Sequence, residues 1–576
     1  MNISPVMMMV RTISWAVVIC AVQAVAVTAD ASLRDTPHNF TVTGTGTVVD
    51  STVTELCVFC HTPHNSSPQH ALWNRQLPGS VYTLYDSSSL SASGTLNQPS
   101  GASRLCLSCH DGTLALGALL QVPQTGPTML GQLTGQTVLG TDLSDDHPVS
   151  FEYNSNLVAL EQGELADPML LPSHIRLDGA GQLQCTACHD PHDDPYRKFL
   201  VADDRAGALC TTCHTLRDWP LSSHATSPKT WSGLGPDPWP HTPYETVADN
   251  ACESCHRPHA APRPQRLLST DAIEPMVCLF CHNDGNVATK DLGTSIGKGS
   301  GHRVFFDNWT HEPGEDPNTM SRHVACADCH NPHKVNDTPA SAPAISGRQL
   351  GVPGVNTSGG TVPESVYQYE VCYKCHGVRD QATPMAIVRV DNTRNVRLET
   401  DQSNLSYHPV TAIGRNQTMG GFEPGYSTAS IIYCVDCHND NDWTGTGTVP
   451  RGPHGSLYSP ILEREYRTDD PTPESFQNYE LCYKCHNRNY LITDQAGTFP
   501  HNRHVVNSQS SCAVCHDAHG SRQDEHLINF MEVDQNGQTV VTQSSSQRLE
   551  YNSFGPGSGE CYLSCHSVDH NPRTYP

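Results

Sequence analysis

Cys185-Thr186-Ala187-Cys188-His189-Asp190-Pro191-His192 is the stretch on which the reading of this chain turns. Two cysteines stand three residues apart, a histidine follows the second directly, and another histidine comes three residues later. Close copies occur at Cys57 to His64, Cys252 to His259 and Cys326 to His333, and Cys512 to His519 repeats the pattern with alanine in place of proline. Working outward, the shorter kernel C-x-x-C-H recurs throughout the chain. It is found at Cys57/Cys60/His61, Cys106/Cys109/His110, Cys185/Cys188/His189, Cys210/Cys213/His214, Cys252/Cys255/His256 and Cys278/Cys281/His282. It continues at Cys326/Cys329/His330, Cys372/Cys375/His376, Cys434/Cys437/His438, Cys482/Cys485/His486 and Cys512/Cys515/His516. A twelfth copy, Cys561/Cys565/His566, carries one extra residue between its cysteines. Of the 25 cysteines, only Cys20 falls outside the pattern.

Three chemistries use paired cysteines: disulfide frameworks, zinc ribbons and covalent haem attachment. Disulfides are the default in an exported chain, and zinc takes cysteine pairs at this spacing. Neither requires a histidine directly after every second cysteine. With 32 histidines in 576 residues, twelve in twelve is not coincidence. One turn of helix puts both thiols on one side, where they add to the two vinyl groups of a haem. The next imidazole is then aimed at the iron. The motifs therefore point to haem c, twelve copies, with the twelve motif histidines as proximal ligands.

Twenty histidines remain for other work, and the sixth ligand decides what a haem iron can do. His64, His192, His259, His333 and His519 sit three residues after a proximal histidine, on the wrong side to cap their own haem, so each is expected to reach a neighbour's distal face. His147 and His408 share an H-P-V context, and His454 lies in a G-P-H-G-S loop. His38, His224, His302 and His504 lie in linkers and complete a set of twelve distal candidates. The reserve is His70, His174, His241, His311, His323, His501, His526 and His570. Methionine is the alternative ligand, but the seven beyond the leader (Met129, Met169, Met276, Met320, Met385, Met419 and Met531) keep no common offset from the motifs. Mostly bis-histidine, low-potential haems follow.

Composition agrees with an interior filled by cofactors. Hydrophobic residues are 37%, Gly and Pro number 43 and 42, and mean hydropathy is −0.43. So much turn-forming sequence with so little apolar side chain would suggest disorder unless bulky apolar groups supply the burial. Residues 1–29 resemble a signal peptide: Arg11, an apolar run from Ile13 to Val27, and small residues at Ala24, Ala26 and Ala29, with cleavage expected after Ala29. An uncleaved anchor is the alternative. The mature chain is expected to be exported, to the periplasm, the outer membrane or beyond. A net charge of −25 disfavours nucleic acid, whose binding needs clustered Lys and Arg, and suits basic partners or metal cations.

The fold expected is mostly irregular, with short α-helices at the motifs, a few β-hairpins, and a core of stacked haems. Gly179-Ala180-Gly181 and Asn536-Gly537 read as hairpin turns. Motif spacing divides the mature chain into a tetrahaem module over 30–225, a trihaem module over 226–345 and a pentahaem module over 346–576. The last contains a duplication. Pro363-Glu364-Ser365, Tyr369-Glu370-Val371 and Cys372-Tyr373-Lys374-Cys375-His376 return 110 residues later as Pro473-Glu474-Ser475, Tyr479-Glu480-Leu481 and Cys482-Tyr483-Lys484-Cys485-His486.

The strings Cys57 to His64, Cys106 to Gly112, Asp146-His147-Pro148-Val149, Cys185 to His192, Cys326 to His333 and Cys512 to Gly520 resemble those of exported multihaem cytochromes of the doubled C-x-x-C-H type. These occur in metal-reducing and other respiratory bacteria. The resemblance implies a chain of bis-histidine haems carrying electrons across the periplasm or outer membrane. It also implies partners among other redox proteins, such as periplasmic or outer-membrane cytochromes, and extracellular metal or other terminal acceptors. Some relatives plug an outer-membrane porin, and others polymerise with themselves into filaments. An electron carrier rather than an enzyme is the expected function. The alternatives are a multihaem reductase of nitrite or tetrathionate with one open iron, or a conducting filament subunit. No motif histidine is replaced by lysine, the usual mark of such a reductase.

Overall fold

The computed structural model describes residues 33–575 apart from 69, 271–272, 306–310, 313, 317, 322, 379–386 and 495–498. The expected leader and its cleavage site at Ala29 lie outside the described residues. Among those described, no helix is long and apolar enough to cross a membrane.

Most of the chain is turns and loops, as its Gly and Pro content dictates. Among the described residues two helices exceed eight residues, α1 (Gly101–His110) and α2 (Gln368–His376), and each ends on a motif histidine. In α2, the Glu370 carboxylate accepts from the backbone N–H of Val366 at 2.7 Å and of Tyr367 at 3.0 Å, which satisfies donors that the first turn leaves free. The helix then buries Tyr369 and Tyr373 against Val355. In nine further motifs the cysteines occupy a single turn. There the motif histidine's backbone N–H donates to the first cysteine's carbonyl at 2.8–3.0 Å.

The chain divides into two compact units. The first comprises the described part of Met1–Tyr85 with Ser91–Asp204 and Ala208–His214, and it contains motifs one to four. Its small apolar cluster is Tyr82, Leu107 and Leu143. The second comprises Asp86–Leu90, Arg205–Gly207 and Thr215–Pro576, with motifs five to twelve. One of its clusters, Ala513, Val514, Phe530, Met531, Val541, Tyr551 and Leu563, lies near the C-terminus. Such small clusters are what a chain this poor in apolar side chains can assemble from protein atoms alone.

Short antiparallel strand pairs tie distant segments together, among them Phe151–Glu152 with Gln182–Leu183 and Ser406–Tyr407 with Gly520–Ser521. The expected turn at Gly179 to Gly181 is present, with the Gly181 N–H donating to Asp178 O at 2.9 Å. The strand after it pairs back to Phe151 rather than across the turn. Asn536-Gly537 does close a hairpin: Val533 bridges Thr539, and Gly537 holds φ of 76°.

The twelfth motif departs from the rest. Instead of a helical turn it lies in the four-stranded sheet formed by β1 (Val541–Thr542), β2 (Glu550–Gly555), β3 (Ser558–Cys565) and β4 (Val568–Tyr575). Strand β3 runs through the middle, paired with β4 on one side and with β2 and β1 on the other. His566 and Ser567 form the β3–β4 turn with φ of 47° and 62°, both left-handed as a two-residue hairpin loop requires. The extra residue between Cys561 and Cys565 removes the register that lets one helical turn face both thiols the same way, and Tyr562 and Leu563 suit a strand.

Candidate functional site

The twenty-four described cysteines, Cys57 to Cys565, form no disulfides with one another. What the chain builds around them is a series of opposed imidazoles. His61 faces His192 with ring centres 6.1 Å apart, His110 faces His38 at 6.2 Å, and His214 faces His147 at 6.3 Å. In the second unit His256 faces His333, His282 faces His224, His330 faces His454 and His438 faces His519, each at 6.2 Å. His376 faces His302 and His486 faces His408 at 6.3 Å, and His516 faces His501 at 6.4 Å.

That spacing has a chemical meaning. With a metal–nitrogen bond of roughly 2 Å and roughly 1.2 Å more to each ring centre, two imidazoles across one iron stand a little over 6 Å apart. Rings in direct contact come closer, as His311 and His323 do at 4.9 Å. The ten motif pairs therefore fit a haem iron between them, with a proximal imidazole on the cysteine side and a distal one opposite.

The pairs also obey an order in the chain. Five even-numbered motifs take a histidine from the segment before the preceding odd motif: His38 to His110, His147 to His214, His224 to His282, His302 to His376 and His408 to His486. Four odd motifs take theirs from beyond the next odd motif, His192 to His61, His333 to His256, His454 to His330 and His519 to His438, whereas the eleventh takes His501 from just ahead of itself. The segments thus interlace, each supplying imidazoles both forward and back.

Backbone carbonyls set which nitrogen faces inward. Nδ1 of His110, His256, His330 and His516 donates to the carbonyls of Thr137, Arg266, Arg348 and His526 at 2.7–2.9 Å. Nδ1 of His224 donates to Pro332 O at 2.9 Å. A carbonyl can only accept, so Nδ1 carries the proton and Nε2 keeps its lone pair. Burial reinforces this by disfavouring the charged ring. It pushes His282, His376, His438 and His486 down to about 4, and His454 and His516 to about 3. Neutral imidazoles are what metal ligation needs. His519 behaves differently. Burial opposes its charge, but the hydrogen bond from Nδ1 to Glu399 Oε2 at 3.0 Å carries it up to about 9.

His64 is exposed and stands opposite no other imidazole among the described residues. His189, in the first unit, donates Nδ1–H to Lys198 O at 2.8 Å, while His259 is exposed in the second. His504 faces His570 at 6.2 Å rather than a motif histidine, and His566 turns its Nε2 to Asp470 Oδ2 at 2.7 Å. His501 and His570, held in reserve from the sequence, are thus placed among the pairs. The available signal was position, since His501, like His38 or His224, lies just ahead of an odd motif.

Sulfur neighbours give the motifs a spatial order. Cys106 shares a hydrogen bond with Cys185, Cys278 with Cys326, and Cys372 with Cys434, first cysteine to first cysteine. Between these junctions the second cysteines are electrostatic neighbours: Cys60 with Cys109, Cys188 with Cys213, Cys255 with Cys281, Cys329 with Cys375 and Cys437 with Cys485. Cys482 then lies near Cys512, and Cys515 near Cys561 and Cys565. Within each unit, consecutive motifs are consecutive in space.

Comparison with known proteins agrees with this construction. The family described as "Doubled CXXCH motif" matches residues 179–217 and 241–287, which span motifs three to six. The chain is 27% identical over 205 residues to the multiheme cytochrome MtrA of Shewanella baltica (strain OS185), covering 34% of this chain and 42% of that relative. The match thus spans less than half the relative's length. Motifs, opposed imidazoles and these likenesses together make the chain a multihaem c-type cytochrome of the doubled C-x-x-C-H type.

Proposed function

We propose that this chain is a dodecahaem electron carrier in which, within each unit, bis-histidine haems follow one another in the order of their motifs. The observation that carries the reading is the ten motif imidazoles opposed at 6.1–6.4 Å. When bound, the haems supply a one-electron iron couple. Side chains on both faces of an iron leave no position for substrate, which favours transfer over turnover. The carbonyls that fix Nδ1 hold the rings rigid, so little reorganisation accompanies a change of charge. Consecutive sulfur contacts keep neighbouring sites close, and electron tunnelling falls off exponentially with distance.

The matching region of MtrA and the export-like leader support a place in electron transfer across the cell envelope. Partners would be other cytochromes or redox proteins at the two ends of the row. The excess of negative charge favours basic docking faces. Intact mass of the exported protein should show twelve covalent haems. Electron paramagnetic resonance of the oxidised protein should show low-spin iron throughout, and voltammetry a broad envelope at low potential. High-spin iron at most sites would overturn the reading.

A further inference from the structure

The twelfth motif does not fit its haem in the manner of the other eleven. Cys561 and Cys565 lie along the extended strand β3. As residues i and i+4 of a strand they point to the same face and stay electrostatic neighbours, an arrangement unlike the single helical turn of the other motifs. His566 is equally unsuited to reach an iron. It occupies the first position of the β3–β4 turn, and its Nε2, the nitrogen that would ligate, is bound to Asp470 Oδ2 at 2.7 Å. The Asp470 side chain is 5% exposed, so the carboxylate end of this contact is buried.

Beside it stands a complete imidazole pair that no motif claims. His504 and His570 face each other at 6.2 Å, within the range of the ten motif pairs. His504 donates Nδ1–H to Pro500 O at 3.0 Å, which leaves Nε2 turned to the gap as in those pairs. Phe499 stacks on His504 at 4.8 Å and is itself held edge-on by Tyr575 at 4.9 Å, so the ring is fixed. His570 lies across from Leu563 in the β3–β4 register, between the two cysteines. Cys515 of the eleventh motif is an electrostatic neighbour of both Cys561 and Cys565, so this is where a twelfth site should follow. His504 also sits where the order of the chain requires, ahead of odd motif eleven, as His408 sits ahead of motif nine.

We infer that the twelfth haem is ligated by His504 and His570, and that His566 is a structural residue of the hairpin turn rather than an iron ligand. This rests on the bis-histidine reading proposed above. It makes the segment around Asn502–Asn507 a double donor, with His501 serving the eleventh iron and His504 the twelfth.

The test uses the full-length, haem-loaded protein with His570→Met, His504→Met and His566→Met. Methionine on a ferric haem gives a far-red charge-transfer band and raises that haem's potential. His570→Met should add this band and move one haem in twelve to higher potential, and His504→Met should do the same if the first variant does not accumulate. A His570→Met protein with the wild-type spectrum and titration would overturn the inference. So would the band appearing in His566→Met, or a wild-type protein carrying eleven haems. In each of those cases the wild-type irons remain low-spin, whereas widespread high-spin iron in the wild type would instead defeat the bis-histidine reading itself.

Discussion

Lys374 Nζ donates to Asp328 Oδ1 at 2.6 Å, with each side chain 3% exposed, so a buried ion pair ties the seventh motif to the eighth. The duplicated lysine does the corresponding thing: Lys484 Nζ donates to Asp436 O at 2.6 Å, joining motif ten to motif nine. Repetition in the sequence is therefore repetition of a junction between neighbouring sites.

Burial alone would raise the Asp328 carboxyl, but the hydrogen bond from His311 and the charge of Lys374 prevail and hold it at about 2. A carboxyl depressed in the folded state stabilises above its unfolded value and loses that contribution as pH falls through its folded one. The stabilisation, about 2 kcal/mol, should therefore disappear between roughly pH 4 and pH 2. Lys374→Met removes the charged partner and leaves the carboxylate with His311 as its side-chain partner, should cost on the order of 3 kcal/mol, and should shift the acid-unfolding midpoint upward. Circular dichroism during acid titration measures both.

Replacing one distal imidazole should open one iron and leave the others alone. His333→Ala removes the ring opposite His256. We expect one haem to become high-spin and to bind added imidazole or cyanide. Resonance Raman reports the spin state, and unchanged spectra would show that His333 is not a ligand.

Glu399 is 6% exposed, and its carboxylate takes the Nδ1 proton of His519 in place of a carbonyl. A carboxylate makes the ring a stronger donor, which favours ferric iron. Glu399→Gln should raise the potential of the haem between His438 and His519. Outer-shell changes of this kind are worth about 10–100-fold in affinity, or roughly 60–120 mV for a one-electron couple. Protein-film voltammetry would resolve the shift.

Arg75 is 1% exposed, and its guanidinium donates to Leu116 O at 2.6 Å, Ala115 O at 2.9 Å, Ser108 O at 3.0 Å and Ser108 Oγ at 3.3 Å. It fastens the end of α1 to the loop beyond the second motif. Arg75→Met strips several buried acceptors of partners and should cost on the order of 3 kcal/mol. Arg75→Lys should not restore it, because an ammonium lacks the planar fork. Thermal unfolding followed at the Soret band would show both.

Attachment chemistry was open to inspection in the sequence because thiols and proximal imidazole lie within five consecutive residues. Ligand pairing was not, because the partner of a distal histidine is set by packing between segments far apart. The three-residue offset marks His192, His333 and His519 equally, yet nothing local says that His192 passes motif two to face His61. The same offset marks His64, which stands opposite no other imidazole among the described residues. His570 was hidden by the expectation that its motif makes a helical turn; only the strand shows which ring it meets. The irregular fold with short helices at regular motifs, by contrast, follows from composition and spacing, and the structure has it.

The alternating sulfur contacts, first cysteine to first and then second to second, give the row a parity. Losing a single motif would reverse that parity for everything downstream and set unlike edges together, besides breaking the crossover of ligands that also advances by twos. Losing or adding a pair would let the remaining sites close ranks. A cytochrome built this way can lengthen or shorten only in even steps, and a hybrid spliced after an even-numbered motif should keep its wiring where one spliced after an odd motif would not.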